Sequence, residues 1–192
     1  MSDTDSRKRS RRKPEEEPFS WKKEIISWIQ IIVAAVVIAL VLNNFVIANS
    51  RVPTGSMENT IMSHSRVIGS RLSYINSDPQ RGDVVIFHFP DDPTGETYYV
   101  KRVIGLPGET VNVIGGKVYI NDSATPLEEP YLPEPMDGSY GPYTVPEGCY
   151  FMMGDNRNNS LDARFWKNQF VEKDKIIAKV LFSYFPKIGK VE

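Results

Sequence analysis

The chain has 192 residues, 41% of them hydrophobic and 24% charged, which is enough apolar material for one packed domain. A net charge of -1 gives no electrostatic reason to expect nucleic acid as a partner. A single cysteine, Cys149, excludes an intramolecular disulfide. In GCYFMMGD it reads as a small strand residue rather than a thiol nucleophile.

The charge is unevenly placed. Residues 1–24 hold eight Lys/Arg (Arg7, Lys8, Arg9, Arg11, Arg12, Lys13, Lys22, Lys23) and six acids. No charged side chain then occurs between Glu24 and Arg51. The core of that window, IISWIQIIVAAVVIALVL (25–42), is long enough as a helix to cross roughly 30 Å of hydrocarbon. The expected layout is a basic cytoplasmic tail over 1–23, a transmembrane anchor over 24–48, and an exported domain over 49–192. The cationic side of the span sets this direction, and the basic tail and the anchor make membrane lipid a partner. The alternative is a cleaved secretory signal, because VIA (46–48) carries the small-residue pattern of a processing site. The apolar stretch is longer than an ordinary signal core, which favours an uncleaved anchor.

After the anchor the pattern alternates. Apolar runs at 67–74, 83–89, 97–105, 110–114, 117–120, 149–153 and 175–185 are separated by turn residues. Gly115-Gly116 marks a tight hairpin. The Pro- and Gly-rich stretch 126–147 reads as a long loop, and Asp162–Asn168 allows one helical turn. The fold class expected is therefore mainly β, with one N-terminal transmembrane helix followed by an antiparallel catalytic sheet domain.

VPTGSMENT (52–60) places Ser56 eight residues beyond Ala48, within about 28 Å of it even when extended. Gly55 and Pro53 suit an exposed turn. A reactive serine needs a base. His64 lies in a polar stretch and His88 at a strand end, so a triad with Asp83 or Asp162 is open but weakly motivated, and no metal site or cofactor is indicated. Lys101 is the better base. In TYYVKRVIG the period of two puts Tyr99, Lys101 and Val103 on one face, where an ammonium would be desolvated. From that strand alone a snorkelling surface lysine is the stronger reading. The polar run GDNRNNSLDARFW (154–166) supplies a network able to fix a buried base.

Four segments in order resemble the boxes of bacterial type I signal peptidases: VPTGSM, RGDVVIF (81–87), YYVKRVIGLPGE and GDNRNNSLDARFW. The resemblance implies a serine-lysine dyad that cleaves signal peptides from exported preproteins after small residues at -1 and -3, beside the secretion translocon. It makes Ser56 the nucleophile and Lys101 the general base. Ser160 would orient the amine, Asp162 and Arg164 form a supporting ion pair, and Thr54 donate a hydroxyl to the oxyanion; Asp155 and Arg157 match structural positions. Asn59 stands where the family usually has proline, and Ser63-His64-Ser65 replaces an acidic glycine turn. A dedicated single-substrate relative, a repressor-type self-cleaving protease and an inactive anchored scaffold are the rival readings. The membrane anchor argues against the second, and the joint presence of Ser56, Lys101 and Ser160 against the third.

Overall fold

The structure is a computed structural model that describes residues 20–191. The basic cluster at 7–13 lies outside the described residues. The chain divides into two compact units at Ala39/Leu40.

Helix α1 (Trp21–Val41), which lies in the first unit up to Ala39, buries none of its residues. Trp21–Val46 is long and apolar enough to cross a membrane, with mean hydropathy 2.9. Residues Leu42–Val46 loosen into a π-type turn. The helix was expected to run to Ala48, but it stops earlier. Ile47–Val52 form strand β1, in which Ala48 is buried opposite Gly69. The bond after Ala48 is thus enclosed in a paired strand, a poor substrate for any protease.

The second unit is antiparallel β. The further strands are β2 (Ser65–Ser70), β3 (Val84–His88), β4 (Tyr98–Gly105), β5 (Thr110–Ile114), β6 (Lys117–Ile120), β7 (Tyr140–Thr144), β8 (Cys149–Met153), β9 (Phe170–Glu172), β10 (Ile176–Phe185) and β11 (Gly189–Lys190). The larger sheet runs β1-β2-β10-β3-β4-β8-β9, with β11 against β10. The smaller runs β6-β5-β7. The β5–β6 hairpin turns at Gly115 and Gly116, whose φ values of 54° and 79° are open to glycine at little cost. Gly105 is required for a different reason. A Cβ there would lie 2.5 Å from Val111 Cγ2, so only glycine lets the two sheets approach.

Alternation along β3 splits the core. Val85 and Phe87 enter one cluster with Val103, Val111, Phe151 and Met152, while Val84 and Ile86 enter a second with Val52, Met57, Ile61, Val67 and Val180. Each fully buried side chain of this size contributes roughly 1.5–3 kcal/mol. The stretch 126–147, expected to be a loop, contains β7. Pro142 is tolerated there because β7 pairs with β5 alone, at the rim of its sheet.

Candidate active site

The site begins with a pinned loop. After β1, residues 53–61 leave the sheet, and Met57 and Ile61, four residues apart, are both buried in the second cluster. A backbone bond from Ile61 N to Met57 O (2.7 Å) closes that turn. Ser56, just before this anchor, is held in place and only 7% exposed. Its Oγ lies 2.5 Å from Lys101 Nζ and 3.3 Å from Thr54 Oγ1.

Lys101 comes from β4, on the face shared with Tyr99 and Val103. Val103 belongs to the first core cluster and Tyr99 packs against it, and the ammonium sits 5.8 Å from the Tyr99 ring centroid. The side chain is 4% exposed, and no carboxylate stands within ion-pair distance among the described residues. Burial is the largest influence and pulls the lysine pKa from 10.5 down to about 8. Asp162 and Asp155 oppose the fall, and Arg164 assists it. Desolvation wins.

The third segment follows β8. Asp162 and Arg164 form a buried bidentate pair, with Arg164 Nε donating to Oδ1 at 2.8 Å and Nη2 to Oδ2 at 2.9 Å. Asp162 also accepts from Gly154 N, and Arg164 donates to the Arg157 carbonyl. The pair thereby closes the segment 154–164 on itself. The helical turn expected over Asp162–Asn168 is a single turn, with Phe165 N and Trp166 N both donating to Asp162 O. Ser160 Oγ is buried and hydrogen-bonds to nothing among the described residues. It lines the same groove as Lys101 but makes no bond to the amine. A Cβ at Gly154 would collide with Ser160 Oγ and with the Ser56 carbonyl, so glycine is what lets these segments meet.

Residues 51–56, 98–101 and 158–161, with Phe165, line a groove of about 630 Å³. A larger cavity of about 860 Å³ lies among His88, Asp92, Cys149 and Lys167. It contains no serine beside a base, and burial pushes the Cys149 thiol pKa up, away from thiolate. Chemistry therefore favours the smaller groove. The histidine alternatives find no support in the contacts of the two rings. His88 Nδ1 is engaged by Gly95 O at 2.6 Å, and His64 is an exposed turn residue with φ of 61°. Asp83 serves Tyr74 Oη and Lys179 Nζ instead.

A deprotonable amine touching a hydroxyl is nucleophile chemistry for acyl transfer. The sequence matches the family described as signal peptidase, peptidase S26, over residues 25–185. The chain belongs to this family. Among curated relatives, signal peptidase I of Leptolyngbya laminosa is 39% identical over 167 residues, covering 84% of this chain and 80% of the relative. Signal peptidase I S of Bacillus subtilis is 37% identical over 182 residues, covering 88% and 94%. A crystal structure of a signal peptidase I from Enterococcus faecalis aligns with TM-score 0.44 at 33% identity, covering 54% of this chain and 97% of that one. Membership gives the enzyme class: a signal peptidase of the S26 type.

Several participants were not singled out from the sequence. Arg102, next to Lys101, donates to both oxygens of Asp155 at 2.8 and 2.7 Å and stacks 3.8 Å from the Tyr131 ring. Thr60 also donates to Asp155, at 2.5 Å. Glu129, from the stretch expected to be loop, binds buried Arg157 through both oxygens. The period of two puts Arg102 on the face opposite Lys101, but the identity of a partner 53 residues away has no local signal.

Proposed function

We propose that this family member cleaves signal peptides with a Ser56–Lys101 dyad, and one observation carries the reading: a buried lysine without a carboxylate partner lies 2.5 Å from the Ser56 hydroxyl. The neutral amine accepts the Ser56 proton as Oγ attacks the scissile carbonyl. The developing oxyanion is held by the Ser56 N–H and the Thr54 hydroxyl. The ammonium then returns its proton to the leaving amine, giving an acyl-enzyme ester on Ser56. A water molecule, deprotonated by Lys101, releases the acid and restores the hydroxyl. Ser160 would become the amine's hydroxyl partner once Ser56 Oγ is esterified. The Asp162–Arg164 pair holds the segment that carries Ser160.

The sheet supports one placement of the substrate. β8 pairs with Arg102–Gly105 of β4 only, so Tyr98–Lys101 face the groove on that side. An extended peptide laid there sends alternate side chains into one wall, which suits small residues at -1 and -3. We further read Trp21–Val46 as a single anchor, the residues before Trp21 as cytoplasmic, and the β domain from Ile47 onward as extracytoplasmic, beside lipid and the translocon. Reporters fused before residue 20 and after residue 192 should then be active on opposite sides of the membrane.

The test of function is incubation of the detergent-solubilised protein with a preprotein, followed by N-terminal sequencing of the product. Cleavage after a small-x-small pair by wild type, and none by Ser56→Ala, is the expected result. Cleavage by the Ser56→Ala protein would remove Ser56 from the mechanism.

A further inference from the structure

Asn156 holds the nucleophile loop at two points. Its Nδ2 donates to the Gly55 carbonyl at 3.0 Å, and its backbone N–H donates to the Ser56 carbonyl at 3.1 Å. The residue itself is fixed from below, because the preceding Asp155 is gripped by Arg102 and Thr60. The Gly55–Ser56 peptide is trans, so its C=O and N–H point in opposite directions. A donor that fixes the Gly55 oxygen therefore fixes the direction of the Ser56 N–H. No acceptor takes that N–H among the described residues. Among the described residues the other donor to Gly55 O is Glu58 N at 3.1 Å, a turn bond within the same loop, so Asn156 is the donor that ties this peptide to a different segment.

We infer that Asn156 is a positioning residue that aims the Ser56 N–H at the oxyanion, through its side-chain bond to the Gly55 carbonyl. This rests on the reading of Ser56 as nucleophile. The effect is confined to the transition state, because the N–H has its full worth only when the carbonyl oxygen becomes an oxyanion. Asn156 is neutral and is not a contact of Lys101 in the structure, so replacing it by alanine should leave the base titrating as before.

The experiment uses the full-length protein in detergent with a signal-peptide substrate, comparing wild type, Asn156→Ala and Asn156→Asp. The aspartate has the same shape, keeps the backbone bond to Ser56 O, and has no Nδ2 donor. The second probe is a peptide boronate ending in alanine, whose boron accepts Ser56 Oγ and becomes tetrahedral as the hydroxyl proton passes to Lys101. Removing an oxyanion donor costs about 10²–10³ in kcat, so misaiming one should cost roughly ten- to a hundredfold. The expected result is that loss in plateau kcat with KM within about twofold, boronate affinity weakened by the same factor, and an unmoved pH profile in Asn156→Ala; the added carboxylate of Asn156→Asp should move the limb to higher pH, as Asp155 and Asp162 do. A kcat within about twofold of wild type would overturn the inference. So would a rise in KM with kcat intact, equal weakening of substrate and boronate, or loss of fold in both variants by circular dichroism. Turnover by Ser56→Ala is a separate outcome, which would sink the dyad itself rather than the role of Asn156.

Discussion

Lys101 and Arg102 are neighbours on one strand, both cations and both buried, at 4% and 1% exposure, and they are treated in opposite ways. Arg102 has Asp155 against two of its nitrogens and a tyrosine ring over its plane. Lys101 has a serine hydroxyl and an aromatic wall. A guanidinium cannot give up its proton at any usable pH, so its burial demands a counter-charge. An ammonium can shed its proton, and burial without a counter-charge makes it do so. One strand thus supplies a structural cation on one face and a base on the other.

Exchanging these roles should have the largest effect. Lys101→Arg should lose at least about 10²–10⁴ in kcat/KM, the usual worth of general-base catalysis, with the fold retained by circular dichroism. Substantial turnover in that variant would erase the distinction. Removing the counter-charge from the other face comes next. Asp155→Asn should destabilise the domain by about 3–5 kcal/mol in urea unfolding, because the Arg102 charge is left buried without its partner. A change below about 1 kcal/mol would mean that Arg102 is compensated elsewhere.

The third prediction runs the other way, since Lys101→Met should stabilise. The folded pKa of about 8 is below the free value of 10.5, so between these pH values the unfolded chain binds more protons and wild-type stability rises with pH. Below pH 8 the burial penalty is present in full, roughly 3 kcal/mol. Lys101→Met should therefore be more stable by up to that amount at pH 7, less the lost bond to Ser56, and the advantage should fade as pH approaches 10.5. Thermal unfolding at pH 7 and 10 measures it. A variant no more stable than wild type at pH 7 would argue against a strained lysine. The smallest effect concerns the neighbouring charges. Arg164→Gln removes a positive charge that disfavours the ammonium and leaves Asp162 unpaired, so the basic limb of the rate profile should move to higher pH. A downward move would reverse the electrostatics proposed for the site.

The strand alternation was legible because β3, β4, β5 and β8 carry their apolar residues in runs bounded by Gly and Pro. β7 was not, since YGPYT looks like a turn until its pairing with β5 is known. β1 was hidden by continuity: IANSRV follows an apolar helix without a break, and only burial against β2 and β10 makes it a strand. At the site, the family resemblance brought Ser56, Lys101, Thr54, Ser160, Asp162 and Arg164 forward, and all six lie in or beside one groove. The expected Ser160–Lys101 bond is absent: Lys101 Nζ donates to Ser56 Oγ, and Ser160 Oγ has no partner among the described residues. Thr60, Glu129 and Asn156 escaped notice because each acts through a partner far along the chain, which no local pattern encodes.

The dependence of kcat/KM on pH for a soluble signal-peptide substrate tests the dyad most directly. Loss of the Lys101 proton should make the rate rise along a single basic limb near pH 8, well below the ordinary lysine range, and Lys101→Arg should show no such limb. A limb near pH 6.5, as an unperturbed histidine would give, or one that persists in Lys101→Arg, would contradict the account.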